Sequence, residues 1–106
     1  MMPGRVCSTA MAVVFATMVV PACAATVQIT MENLEISPND ASAKVGDTVE
    51  WINKDVFAHT ATAKNDDFDV NLPAKKSGTT VVKKAGTVEY YCRFHPNMKA
   101  RLKVVP

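Results

Sequence analysis

The chain has little with which to staple itself together. Of its three cysteines, Cys7 and Cys23 fall in the first 24 residues and only Cys92 lies beyond them. Residues 1–24 read as a secretory leader: Arg5 is the one charge, an apolar run extends from Val6 to Val20, and Pro21 precedes the small-residue site Ala22-Cys23-Ala24. Cleavage is expected after Ala24, which removes two cysteines and with them any intramolecular disulfide. The apolar run contains Ser8, Thr9 and Thr17 and falls short of the roughly 20 residues of a comfortable spanning helix, so no stable membrane insertion is expected. A lipid anchor at Cys23 is the alternative, against which Pro21 argues.

No segment has helical periodicity, and no repeat or low-complexity tract occurs. Nor is there a charge excess. The processed chain, Ala25 to Pro106, has 82 residues (106 less 24) and carries eleven Lys and Arg (12 less Arg5) against ten Asp and Glu, a net +1. That balance excludes the basic signature of a nucleic-acid binder. Its length suits one domain, expected as a monomer, that buries only about 60 to 65% of its unfolded surface, so a bound metal would add materially to stability. Acidic residues stop at Glu89, whereas Arg93, Lys99, Arg101 and Lys103 follow it. Such a stretch could orient an acidic partner, or could be a solvated strand face.

What remains alternates as strands do. Thr26 to Met31 is rich in β-branched residues, Leu34 to Ile36 continues after a break at Asn33, and Ser37-Pro38-Asn39-Asp40 is a turn cluster. Ala43 to Val45 leads through a Gly46-Asp47 turn into Thr48–Asn53, where Val49, Trp51 and Asn53 share one face and Trp51 is the largest core candidate. Residues 54–76 read as irregular, with Phe68, Val70 and Leu72 able to bury one face of an extended piece. Thr79–Lys83 and Thr87–Cys92 read as strands around a Lys84-Ala85-Gly86 turn, with Val88, Tyr90 and Cys92 on one face. Lys99 to Val105 alternates basic residues outward with Ala100, Leu102 and Val104 inward. These features predict an all-β fold, a small antiparallel β-sandwich.

Between the last two strands lies Cys92-Arg93-Phe94-His95-Pro96-Asn97-Met98, and the only other histidine is His59. A thiolate, two imidazoles and a thioether are the donors that hold copper in a trigonal Cys-His-His arrangement with a weak axial Met. Taken singly, Cys92 could be a buried core residue, His59 a surface loop histidine and Met98 a core filler. Together they point to one metal site: His59, Cys92, His95 and Met98. Four protein donors leave no open position for substrate and no second histidine cluster exists, so an enzyme is not expected. A copper delivery or storage protein is the rival; such proteins favour Met-rich stretches, whereas the processed chain has only Met31 and Met98.

Lys44–Asn53, Ala58-His59-Thr60, Gly86–Cys92 and His95-Pro96-Asn97-Met98 together resemble the cupredoxins of the plastocyanin and azurin family, amicyanins most nearly. The spacing Cys-x2-His-x2-Met, with Pro after the His, is similar to the short ligand loop of amicyanins. The resemblance implies a Greek-key β-sandwich holding one copper ion, with His59, Cys92 and His95 equatorial and Met98 axial. It also implies a periplasmic blue copper protein that carries single electrons by Cu(I)/Cu(II) cycling between redox proteins, such as an amine dehydrogenase donor and a c-type cytochrome acceptor. By the same resemblance, electrons would leave through the His95 edge, within an apolar patch of Phe57, Ala58, Phe94, Pro96 and Met98.

Two positions depart from the family pattern. Thr60 stands where Asn is usual, which predicts a weaker tie between the two ligand loops. Phe94 replaces a usual Pro and keeps a backbone N–H, which is expected to donate to the Cys92 sulfur and raise the redox potential.

Overall fold

The computed structural model describes residues 24–106 and the two-residue strand β1, Val6–Cys7. The leader reading therefore falls almost wholly outside the described residues. Beyond it the chain forms β2 (Ala25–Glu32), β3 (Glu35–Ser37), β4 (Asp40–Lys44), β5 (Thr48–Asn53), β6 (His59–Ala63), β7 (Asp69–Leu72), β8 (Ser77–Val81), β9 (Gly86–Tyr91) and β10 (Lys99–Val105).

Two sheets result. One runs β1-β2-β5-β8 with β3 also paired to β2, and the other runs β4-β10-β9-β6-β7. The expected β-sandwich is present, and its pairing is mixed: β2 with β5 and β4 with β10 are parallel, the remaining pairs antiparallel. Among the described residues no helix is long and apolar enough to cross a membrane.

The alternation read from the sequence decides which residues meet between the sheets. Val27, Ile29 and Met31 of β2 and Val49 and Trp51 of β5 face Val88 and Tyr90 of β9 and Ala100, Leu102 and Val104 of β10, all of them buried. Trp51 is the largest fully buried side chain. Its ring lies 5.2 Å from that of Phe68 and 5.5 Å from that of Tyr90, which meets it edge-on, so three aromatics bridge the two layers. Burial pushes the Tyr90 phenol up to about 12, with the nearby Trp51 indole acting weakly in the opposite direction.

The segment 54–76 departs from the irregular reading, because it contains β6 and β7. All five residues of β6 are buried, so it shows no alternation. Phe68 and Leu72 are buried and Val70 packs against the core, as expected of one apolar face. Gly78 of β8 lets the edges of the two sheets approach: a Cβ there would lie 2.6 Å from Val70 Cγ1 and 3.3 Å from the Asn71 carbonyl oxygen.

Candidate metal centre

One end of the sandwich gathers the chain's two histidines and Cys92. His59 opens β6, Cys92 directly follows β9, and Met98 directly precedes β10. Because Tyr91 and Lys99 are paired across β9 and β10, the seven residues 92–98 form a tight connection. Their own backbone braces it: Cys92 N–H donates to Met98 O (3.0 Å), His95 N–H to Cys92 O (3.2 Å) and Met98 N–H to His95 O (2.8 Å). The pairing of Thr62 with Tyr91 in β6 and β9 carries His59 to the same end.

Cys92 Sγ lies 3.7 Å from His59 Nδ1 and 3.7 Å from His95 Nδ1. All three donor atoms fall within 4.8 Å of one another. Cys92 and His59 are fully buried, His95 is half-buried, and Met98 is buried beside them. The arrangement places one sulfur and two imidazole nitrogens around a common point, a donor set suited to a soft or borderline transition metal.

Asp55 completes the surroundings of His59, and sequence reasoning missed it. Its carboxylate accepts from His59 Nε2 at 2.8 Å. An ionised carboxylate only accepts, so Nε2 carries the ring proton and Nδ1 presents its lone pair towards Cys92 and His95. The same carboxylate accepts the N–H of Asn33 (2.7 Å) and of Leu34 (3.1 Å). Those two residues have φ of 56° and 62°, the left-handed conformation that turns β2 into β3, and Asp55 binds both of their amides. Burial pushes the Asp55 carboxyl up, but His59 and the Asn33 and Leu34 amides together outweigh it and hold its pKa below the ordinary value. Buried Asn53 anchors the segment in turn: its Oδ1 accepts the Asp55 N–H (2.9 Å), and its Nδ2 lies within hydrogen-bond distance of Phe57 O (2.9 Å), Leu72 O (3.0 Å) and Pro73 O (3.2 Å). The only sequence signal for Asp55 was an acid four residues before His59.

Thr60 ties the segments that carry the His59 and Cys92 donors directly. Its Oγ1 accepts the Arg93 N–H at 2.8 Å, which leaves its own proton for Thr62 Oγ1 at 2.9 Å. Thr62 donates to Asp69 Oδ1 at 2.9 Å, and the Arg93 guanidinium closes the circuit on the Asp69 carboxylate. The weaker tie expected of Thr60 is thus reinforced by a ring of hydrogen bonds that starts and ends on Arg93, each polarising the next. Among the described residues Cys92 Sγ has only His59 and His95 as hydrogen-bond partners, so the expected bond from the Phe94 N–H to sulfur is not formed.

Around half-buried His95 the surface is apolar. Phe57 is 40% and Phe94 57% exposed, and Ala58 and Pro96 are exposed beside them. Phe57 packs on both rings, 5.3 Å from His59 and 5.4 Å from His95. Met98, at 3% exposure, contributes nothing to this patch. Exposed Leu34 and Val56, which the sequence reading did not include, lie close by on the two segments that Asp55 joins.

Comparison with known proteins agrees with this geometry. The family model of the cupredoxin-like domain matches residues 5–104. A curated relative, the methylamine utilization protein MauL of Methylorubrum extorquens, is 27% identical over 104 residues, covering 94% of this chain and 91% of that protein. Similar solved structures include a purple cupredoxin from Nitrosopumilus maritimus, 26% identical with a TM-score of 0.65 over 73% of this chain and 97% of that one. The reduced state of an amicyanin mutant with phenylalanine in place of proline is also similar, 24% identical with a TM-score of 0.63 over 73% of this chain and 79% of that one. The chain belongs to the cupredoxin-like family.

Proposed function

We propose that this protein is a type 1 copper protein of the periplasm that carries single electrons, with His59, Cys92 and His95 as equatorial ligands of one copper ion and Met98 as the axial ligand. The observation that supports this most strongly is the convergence of Cys92 Sγ, His59 Nδ1 and His95 Nδ1 within 4.8 Å. Copper, when bound, supplies the one-electron Cu(I)/Cu(II) couple.

The protein's part is to hold still. Asp55 fixes the tautomer and rotation of His59, and the backbone bonds of residues 92–98 fix His95 and Met98 relative to Cys92. Full burial of Cys92 keeps water and oxidants from its free thiol. His95, half-buried within the Phe57 and Phe94 surface, offers the short route to a partner, and the apolar surround lets that partner approach without displacing ordered water. The partners in this reading are redox proteins of amine oxidation, an amine dehydrogenase as donor and a c-type cytochrome as acceptor; likeness to a methylamine utilization protein supports it. Mixing the copper-loaded protein with such a dehydrogenase and its amine tests the partner assignment. Rapid bleaching of the Cu(II) colour is expected, and no bleaching refutes the assignment.

A further inference from the structure

The end of the sandwich away from Cys92 and His95 is incompletely filled. Val104, near the close of β10, is paired with Gly86, the first residue of β9. Gly86 has no side chain to put against it, and a Cβ at that position would meet nothing within 4 Å. A cavity of about 220 Å³ opens here between the two sheets. Its floor is Phe68, Val82, Val88, Leu102 and Val104, each of them apolar and buried.

Backbone hydrogen bonds fix two of its walls. Val82 N–H donates to Asp47 O at 3.0 Å and Val82 O accepts the Gly46 N–H at 2.8 Å, while Phe68 O accepts the Ala63 N–H at 2.9 Å. The mouth has a different character. Val81 lies there, 49% exposed, beside Lys83, Lys84 and Asp67. Lys84 Nζ lies 3.3 Å from Asp67 Oδ1, which accounts for the one acid at the opening, and Lys83 has no ion pair among the described residues. An apolar pocket below an uncompensated ammonium is complementary to an alkyl chain that ends in an anion.

We propose that this cavity binds a small amphipathic carboxylate, with its alkyl chain on the Phe68, Val88 and Leu102 floor and its head at Lys83. At about 220 Å³ the space falls below the range of about 300–1,000 Å³ that takes drug-sized molecules, and at protein packing density it holds a chain of roughly eight carbons. That is too small for a nucleotide or a whole phospholipid. Each methylene buried raises affinity about fourfold, so the tail supplies the binding. The head stays at the mouth, where an exposed pair with Lys83 is screened by water and contributes selectivity more than affinity. Phe68 links the site to the core, its ring 5.2 Å from that of Trp51, the chain's one tryptophan. None of the lining residues belongs to the His59, Cys92 and His95 cluster, so the site is independent of the copper reading.

The test titrates the copper-free full chain with sodium hexanoate, octanoate and decanoate, read by Trp51 fluorescence and by calorimetry. Octanoate should bind about tenfold more tightly than hexanoate, with a Kd on the order of 1 mM, and decanoate less than about twofold more tightly than octanoate because the cavity is then full. A continued rise to decanoate marks adsorption to an open surface and overturns the proposal, as does the absence of saturable binding by either readout up to about 10 mM octanoate. Octylammonium, with the same tail and the opposite charge, should bind about fivefold more weakly than octanoate. Equal binding overturns the assignment of an anion. Lys83→Glu should abolish that preference, and Lys103→Glu, on the outer face of β10, should leave it intact. A preference that survives Lys83→Glu overturns the placement of the head, and the chain-length series in the parent protein decides the cavity even if a variant does not fold.

Discussion

The two ends of this sandwich each bury an aspartate, and the two serve different ends. Asp55 and Asp47 are 8% and 1% exposed, and each accepts two backbone N–H groups from strand ends or turns. Asp55 adds the imidazole of His59, whose other nitrogen faces Cys92. Asp47 accepts the Ala25 N–H at the start of β2. The same device, a buried carboxylate that accepts backbone amides, thus orients the His59 imidazole at one end and holds the start of β2 at the other. Charge placement matters here through what lies across the carboxylate.

The sharpest break in that contrast is at the thiol. Cys92→Ser should abolish the intense visible absorption of the Cu(II) form while leaving the fold intact by circular dichroism, because the colour needs thiolate sulfur and the fold does not. Asp55→Ala should act on both copper and stability. It orphans the Asn33 and Leu34 amides, costing about 3 kcal/mol in denaturant titrations, and frees the His59 ring, lowering copper affinity roughly 10- to 100-fold by competition with a chelator. Acid should do the same more gently. The folded pKa of Asp55 is depressed below 3.8, so its stabilisation is complete above the ordinary carboxylate range and is lost as pH falls through the folded value.

Thr60→Val probes the tie between ligand segments. It leaves the Arg93 N–H without its acceptor and should cost about 1–2 kcal/mol, with a changed Cu(II) electron paramagnetic resonance spectrum because Cys92 is adjacent. Asp69→Asn removes the charge that pairs with Arg93 while keeping an Oδ1 that can accept from Thr62, and should cost less than about 1 kcal/mol. The smallest effect at neutral pH belongs to the core. Tyr90 keeps its proton up to about 12 when folded against 10.0 when exposed, so between those values the unfolded chain binds fewer protons and stability falls as pH rises. Ultraviolet titration should show its phenolate only near the upper value, and ionisation near 10 would place Tyr90 outside the core.

What could be read in the sequence was what alternates. β5 and β10 were legible because Trp51 and Leu102 recur at a period of two against polar neighbours, and the copper-type donors because His59, Cys92, His95 and Met98 are so few. β6 was not legible. His59–Ala63 is buried along its whole length, and a short run of Ala and Thr carries no periodic signal. Asp55 was hidden for a different reason: Asn33 and Leu34, the amides that give it meaning, are 22 and 21 residues away. Thr60 and Phe94 show how much of a substitution's effect depends on partners distant in sequence. The hydroxyl expected to bind loosely joins a closed ring through Thr62, Asp69 and Arg93, and the amide expected to reach sulfur does not.

The proposed type 1 copper centre depends on the Cys92, His59 and His95 donors being held as they are. Adding one equivalent of Cu(II) to the metal-free protein and recording the visible and electron paramagnetic resonance spectra tests it most directly. An intense visible thiolate-to-copper band is expected, saturating at one ion per chain, disappearing on reduction and returning on oxidation. A colourless complex that accepts only Cu(I), or no binding at all, would contradict it.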